Sequence, residues 1–379
     1  MNVYESQHEE VLEALELGEF NYVIKRIIDF TLDTENINFY EKTISFLDWY
    51  DFNLEQVEEL KSKLSKLLAD LYYYLSKKEQ VKNEELINIK SLEKEFKEFR
   101  LGPINLSIST SDIIGLVGEN GNGKTTLLRS IARELAPSLG EIYYLFNYSS
   151  SYDLRTQLVY LPQQGTPWKG SILENLMFTA GCYKYKKEEI SSIVNLVIAR
   201  FDLRKFKNQA WSNLSSGYKM RFELARMLLR KPKILLMDEP LANLDILAQQ
   251  SILDDFKNIA NSPFRPIAIV LSSQQLYEVE KASNQIIFLK KGRQYNLKDL
   301  ASLSQQFIVE FETDENIITL KEKLAIIKLI SLERNGGTLI ATFPVEIDLS
   351  SFMTTLINKE IQIKYLRDIS NSARVLFIK

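Results

Sequence analysis

The sequence predicts an α/β protein in three parts: an all-helical unit over residues 1–85, an α/β core over 86–303 and a small α/β unit over 304–379. Three observations carry this reading. Apolar residues recur at helical spacing through a first segment that contains no proline before Pro103. From about residue 86, alternating and continuous apolar runs of strand length interleave with helix-compatible segments. Beyond residue 304, strand patterns return around a Gly336-Gly337 pair. A length of 379 residues suits two or three domains at about 150 residues each.

In the first part, Leu12, Leu15 and Leu17 lead to Gly18, after which Phe20, Val23, Ile24, Ile27 and Ile28 take up helical spacing. Gly18 between two amphipathic runs reads as the turn of a helical hairpin. A third run carries Phe39, Ile44, Phe46 and Leu47. The fourth places Leu60, Leu64, Leu67, Leu68, Leu71 and Leu75 on one stripe, with Asn53 as a candidate N-cap. A bundle or short helical array of about four helices follows from this pattern.

The core opens with Leu86-Ile87-Asn88-Ile89 and Ile104-Asn105-Leu106-Ser107-Ile108, which alternate as half-buried strands do. Ile113-Ile114-Gly115-Leu116-Val117 is continuously apolar, as a strand covered on both faces requires. In the last part, Phe307, Val309 and Phe311 share a strand face, and Gly336-Gly337 separates residues 330–333 from 339–343 as in a hairpin. Residues 361–366 and 374–378 are two more strand-like runs.

Composition narrows the chemistry. Hydrophobic residues at 45% and charged residues at 26% are those of a globular chain. No stretch of about 18 uncharged apolar residues is present, so the chain is not expected to span a bilayer itself. The acidic residues 1–10 lack the pattern of a secretory signal. One cysteine, Cys182, cannot form an internal disulfide. One histidine, His8, leaves too few ligands for a zinc cluster and no base for a triad in the core. Residues 1–90 hold 10 basic and 19 acidic residues, while the rest of the chain is net positive. No basic run with interleaved aromatics appears, so no nucleic-acid partner is expected.

Gly118-Glu119-Asn120-Gly121-Asn122-Gly123-Lys124-Thr125 fits G-x-x-x-x-G-K-[ST], placed after an apolar strand and before a helix-compatible run over 126–135. Glycines let backbone N–H groups converge on phosphate oxygens at a helix start. Lys124 is expected on the β- and γ-phosphates and Thr125 on Mg²⁺. Ile234-Leu235-Leu236-Met237 is a second buried strand, ending in Asp238-Glu239-Pro240. Asp238 is placed to hold the metal through water, and Glu239 to polarise an attacking water as general base.

With these motifs in hand, residues 86–303 resemble an ATP-binding cassette (ABC) ATPase domain with its helical subdomain. Leu214-Ser215-Ser216-Gly217-Tyr218 resembles the family signature Leu-Ser-Gly-Gly-Gln, with Ser and Tyr as departures. The resemblance implies that Asn120, Gly121, Asn122, Gly123, Lys124, Thr125 and Thr126 cradle ATP, and that Ser215 and Gly217 bind the γ-phosphate held by an opposite subunit. Gln163 in Leu161-Pro162-Gln163 resembles the glutamine that reaches the metal and the attacking water. Asp245 lies in a stretch similar to the loop that crosses the cassette dimer. Phe96 matches the aromatic that stacks on adenine, with Phe99 as a second ring nearby. The family carries a histidine after the next strand, and here Gln274 stands in that place. An amide donates a hydrogen bond but holds no charge and relays no proton, so slow hydrolysis is expected, with a nucleotide-gated clamp as the alternative.

The same resemblance implies ATP and Mg²⁺ as ligands and a dimer of cassettes, with itself or with a second ABC subunit. It also implies a permease subunit on another chain and a peripheral place on the cytoplasmic face of the membrane. Ser171-Ile172-Leu173-Glu174-Asn175-Leu176, Ser272-Ser273 and Glu278-Val279-Glu280 are similar to segments of the ATPases of ABC-2 type exporters. A soluble ABC ATPase acting on a cytosolic assembly is the alternative. The resemblance does not reach residues 1–85, whose acidic character suits a protein-contact or regulatory module that includes Tyr72-Tyr73-Tyr74.

Overall fold

The computed structural model describes residues 3–370 except 164, 166, 184, 275 and 297–305. The chain opens with four helices: α1 (Val3–Glu16), α2 (Phe20–Thr34), α3 (Ile37–Tyr50) and α4 (Val57–Leu75). Gly18 makes the α1–α2 turn at φ +78°, a left-handed conformation that glycine reaches without steric cost. Asn36 caps α3, its side chain accepting from the Asn38 N–H. Asn53 does not cap α4. Its Nδ2 donates to the Trp49 carbonyl at 2.7 Å, so it closes the end of α3, and Gln56 stands at the N-terminus of α4 without a side-chain cap. The six leucines of the α4 stripe are all buried. Burial of about 1.5–3 kcal/mol per such side chain holds helices that would be marginal alone.

The core is a six-stranded sheet in the order β5 (Leu158–Leu161), β6 (Ile234–Met237), β7 (Ala268–Ser273), β3 (Ile113–Val117), β8 (Gln285–Lys290), β9 (Arg293–Asn296). It is parallel except for β9. Strands β3, β6 and β7 are buried along their whole length, as their continuous apolar sequences require. Side chains still alternate between two cores. Ile113, Val117, Leu235, Met237, Ile269 and Leu271 face one, and Ile114, Leu116, Ile234, Leu236, Ala268 and Val270 face the other.

The second face is covered by an antiparallel sheet, ordered β2 (Arg100–Ser109), β1 (Glu85–Glu95), β4 (Leu139–Tyr144), and by α5 (Lys124–Ile131) and α6 (Ser151–Gln157). Helix α5 stops short of the expected residue 135. Arg133 turns left-handed at φ +58°, and the N–H groups of Glu134 and Leu135 fold back onto the Arg129 carbonyl. The first face packs on α7 (Ile172–Cys182), α8 (Lys187–Arg200), α9 (Ser216–Leu229), α10 (Ile246–Ala260) and α11 (Leu276–Ala282). The same continuous cluster takes in Tyr4, Ile27, Leu64 and Leu71 of the first four helices. Those helices are therefore built into the core rather than appended to it.

The last part is an antiparallel sheet ordered β11 (Ser331–Asn335), β12 (Thr338–Pro344), β10 (Gln306–Glu312), β13 (Tyr365–Asp368). Helices α12 (Ile317–Leu324) and α13 (Leu349–Asn358) cover it and give it a separate core around Phe307, Phe311, Phe343 and Phe352. The strand expected from residue 361 begins only at Tyr365. The run at 374–378 lies outside the described residues.

Candidate nucleotide-binding site

The carboxyl ends of β6, β7 and β3 lie side by side, the place where an open parallel sheet collects its functional loops. From β3 the chain enters residues 118–123, with Gly121 at φ +80° and Gly123 at φ +100°. A Cβ on Gly123 would lie 2.8 Å from Leu101 Cδ1 and 3.0 Å from Phe99 Cζ, so neither the conformation nor the space admits a side chain. Asn122 Oδ1 accepts from the Lys291 N–H at 2.9 Å, which ties the loop to the β8–β9 turn. Asn120, Gly121 and Asn122 border an open cleft of about 1030 Å³ with Phe99 and Arg293. Thr126 lies in the first turn of α5, its carbonyl accepting from Ser130 Oγ.

Lys124 is buried at the start of α5. Its Nζ donates to the Gly118 carbonyl at 2.6 Å and the Glu119 carbonyl at 3.3 Å, and lies 3.6 Å from Glu239 Oε1. Burial pushes the ammonium below the ordinary lysine pKa, while Glu239 and Asp238 pull it back up. An ammonium held only by carbonyls and a carboxylate is poised to exchange those contacts for phosphate oxygens.

Asp238 follows β6 and is buried. Thr125 Oγ1 donates to its Oδ2 at 2.7 Å, Ser272 Oγ to its Oδ1 at 2.6 Å, and Tyr160 OH approaches Oδ2 at 3.5 Å. Burial, with Asp238 beside it, pushes the Tyr160 phenol well above its ordinary value, so Tyr160 keeps its proton and can act only as a hydrogen-bond donor to the carboxylate. Glu239 sits in a left-handed backbone conformation at φ +49°. Its carboxylate accepts from Gln163 Nε2 at 2.8 Å and from Gln274 Nε2 at 2.9 Å on each oxygen. The structure thus brings Lys124, Thr125, Gln163, Asp238, Glu239 and Gln274 together. Sequence reasoning missed Tyr160 and the role of Ser272; a hydroxyl at the end of an apolar strand was the available signal.

The other expected residues lie elsewhere. Ser215 caps α9, its side chain accepting from the Tyr218 N–H. Ser216 Oγ donates to the Asn243 carbonyl at 2.9 Å, and Gly217 faces Ala248. Asp245 caps α10 through the Ala248 N–H at 2.9 Å. Among the described residues, no hydrogen bond ties Ser215, Gly217 or Asp245 to residues 118–126. Phe96 is 48% exposed with Lys94 near its ring, whereas Phe99 packs on Gly123.

A glycine loop between a central parallel strand and a helix, with paired acids at the next strand end but one, defines a P-loop nucleotide-binding domain. The profile of the ABC transporter family matches residues 101–242, and the chain carries an ABC ATPase domain, which binds ATP. The chain is 28% identical over 193 residues to the ABC transporter ATP-binding protein NatA of Bacillus subtilis, a match covering 50% of this chain and 77% of that one. It is 30% identical over 213 residues to the spermidine/putrescine import ATP-binding protein PotA of Clostridium novyi, covering 55% and 60%. It thus spans less than two thirds of the second of these relatives. Among solved structures, cbiO1 of Clostridium perfringens, described as part of the ABC transporter complex cbiONQ, shares the fold at a TM-score of 0.52. That match is 24% identical and covers 58% of this chain and 92% of the other.

Proposed function

We propose that this chain is the ATP-hydrolysing subunit of an ABC exporter whose membrane spans lie on a separate chain, and that it works as a dimer of cassettes at the cytoplasmic face of the membrane. The observation that carries the hydrolytic reading is the Glu239 carboxylate, met by Lys124, Gln163 and Gln274 one residue after an aspartate bonded to Thr125. Lys124 holds the β- and γ-phosphates of ATP in place of its present carbonyls, and the N–H groups of residues 120–126 hold the rest. Glu239 takes the proton of the attacking water, which Gln163 helps to orient.

Thr125, Gln163 and Asp238 would hold Mg²⁺. A hydroxyl, an amide carbonyl and a carboxylate form an all-oxygen donor set, which suits this cation. When bound, the ion neutralises charge on the β- and γ-phosphates. Gln274 takes the place of a charged or proton-relaying imidazole, so turnover is slow. Ser215 and Gly217 serve the nucleotide of a second cassette, since they open a 14-residue helix and make no hydrogen bond to their own phosphate loop among the described residues.

No helix among the described residues is long and apolar enough to cross a membrane. The exporter reading rests on the likeness of segments 171–176 and 272–280 to exporter ATPases. Purification of this chain from its native, detergent-solubilised membranes, with co-purifying proteins identified by mass spectrometry, tests the assignment. A stoichiometric partner with several membrane spans supports it. Recovery with a cytosolic assembly alone overturns it in favour of a soluble clamp.

A further inference from the structure

We propose that Ser272 is a positioning residue that sets both acids of the site with one hydroxyl. The inference rests on the roles given above to Asp238 and Glu239. Ser272 is wholly buried near the end of β7, after the apolar Ile269, Val270 and Leu271. A buried hydroxyl in such a strand must find partners, and both of those it finds are in the site. Its Oγ donates to Asp238 Oδ1 at 2.6 Å and accepts from the Glu239 N–H at 2.8 Å.

Each bond removes a different freedom. Thr125 already holds Asp238 Oδ2, so the Ser272 bond to Oδ1 fixes the rotation of the carboxylate as a whole. Without it, Asp238 turns about its last side-chain bond and meets a metal in more than one orientation. The second bond holds the backbone where Glu239 adopts φ +49°, a conformation that a residue with a Cβ disfavours. That conformation aims the Glu239 carboxylate at Lys124, Gln163 and Gln274. Sheet register makes the arrangement possible: β6 and β7 are parallel neighbours with Met237 opposite Leu271, so the next residues, Asp238 and Ser272, meet where the strands end.

The test compares Ser272→Thr with Ser272→Val, which are equal in size and differ in the hydroxyl, alongside Ser272→Ala. Two quantities are read: kcat, and the ratio of ATP affinity in Mg²⁺ to that in EDTA. The Thr variant is expected to keep the parental affinity ratio, while Val and Ala lose it about fivefold and fall about tenfold in kcat, with metal-free ATP affinity unchanged. If Thr and Val behave alike in both quantities, the inference is overturned. Glu239→Gln is run in the same assay. If it turns over like the parent, the reading of Glu239 as base fails, while the affinity ratio still decides the Ser272–Asp238 link.

Discussion

Asp29 on α2 accepts a hydrogen bond at 2.7 Å from Nε of Arg200, the last residue of α8, whose guanidinium is wholly buried and also donates to Asp255 of α10 at 2.6 Å. One cation therefore joins the N-terminal helices to two helices of the cassette. Around it, Asp33 pairs with Arg265, Glu35 with Lys231, and Asp48 and Asp51 with Arg204. The acidic excess of residues 1–90 and the basic excess of the remainder thus face one another across an internal seam. The helices bury their apolar faces against the cassette and match its charges. The loop containing Arg265 leads into β7, the strand that carries Ser272, so the seam grips the far end of an element that supplies the site.

Removing the buried cation is expected to be costly. Arg200→Ala takes from Asp255 its buried ion pair and leaves Asp29 only the longer contact to Arg26 at 3.4 Å, and loss of one partner of a buried pair costs about 3–5 kcal/mol. Arg204→Ala, which breaks bonds to the exposed Asp48 and Asp51, is expected to cost less than about 1 kcal/mol. Urea unfolding of the two variants checks this. Equal shifts in midpoint would show that Arg200 is not the centre of the seam.

Much of this was legible beforehand, for physical reasons that differ by element. The α4 leucine stripe and the apolar β3 and β6 announce themselves because burial on one or both faces leaves a period in the sequence. The phosphate loop and the Asp238-Glu239 pair were legible because phosphate chemistry fixes residue type and spacing. The seam was not, since a −9 segment looks the same whether its charges meet solvent, a partner or the chain's own arginines. The small α/β unit implied helices, but α12 and α13 were not placed within it, since they are only 8 and 10 residues long and leave few turns of apolar periodicity. Ser272 was read as part of a strand end, and only the register with β6 reveals its two bonds.

Lys124 and Glu239 are expected to separate binding from turnover. Lys124→Ala removes the buried ammonium from the loop and should lose tight ATP binding. Glu239→Gln keeps the size of the side chain and removes the base, so ATP should still bind, hydrolysis should fall at least about 100-fold, and a closed dimer should accumulate. Nucleotide binding by calorimetry, phosphate release and light scattering read the three quantities. Parental phosphate release from Glu239→Gln would assign the base elsewhere.

His8 gives the N-terminal helices a pH dependence. It lies on the buried side of α1, 4.5 Å from the Tyr72 ring centre. Burial pushes its pKa below the ordinary value, against the opposing effects of Leu68 and Glu9. The unfolded chain therefore takes up the proton more readily than the folded one. The stabilising contribution of neutral His8 is complete above about pH 6.5 and declines as pH falls below it. Thermal unfolding should show Tm falling from pH 7.5 to 5.5, and His8→Phe should flatten that slope. A slope unchanged in the variant would place the titration in another group.

On the function proposed above, Gln274 stands where the resembled family carries a histidine, and that substitution can be tested directly. Its Nε2 lies 2.9 Å from both oxygens of Glu239, so the amide now serves the carboxylate. An imidazole there would be polarised by the same carboxylate toward its charged form and could stabilise charge developing on a phosphate. Gln274→His is therefore expected to raise kcat about tenfold, a fraction of the 10²–10³ that a preorganised donor is worth elsewhere. The variant's turnover should also acquire an imidazole titration near or above about pH 6.5, read as a difference from the parent's profile, because glutamine does not titrate. Steady-state phosphate release across pH 5.5 to 8.5 reads both effects. A variant no faster than the parent, with the parent's pH profile, would mean that the positions of Gln163, Glu239 and Lys124 are adjusted to the glutamine and would overturn the expectation that the missing imidazole limits turnover.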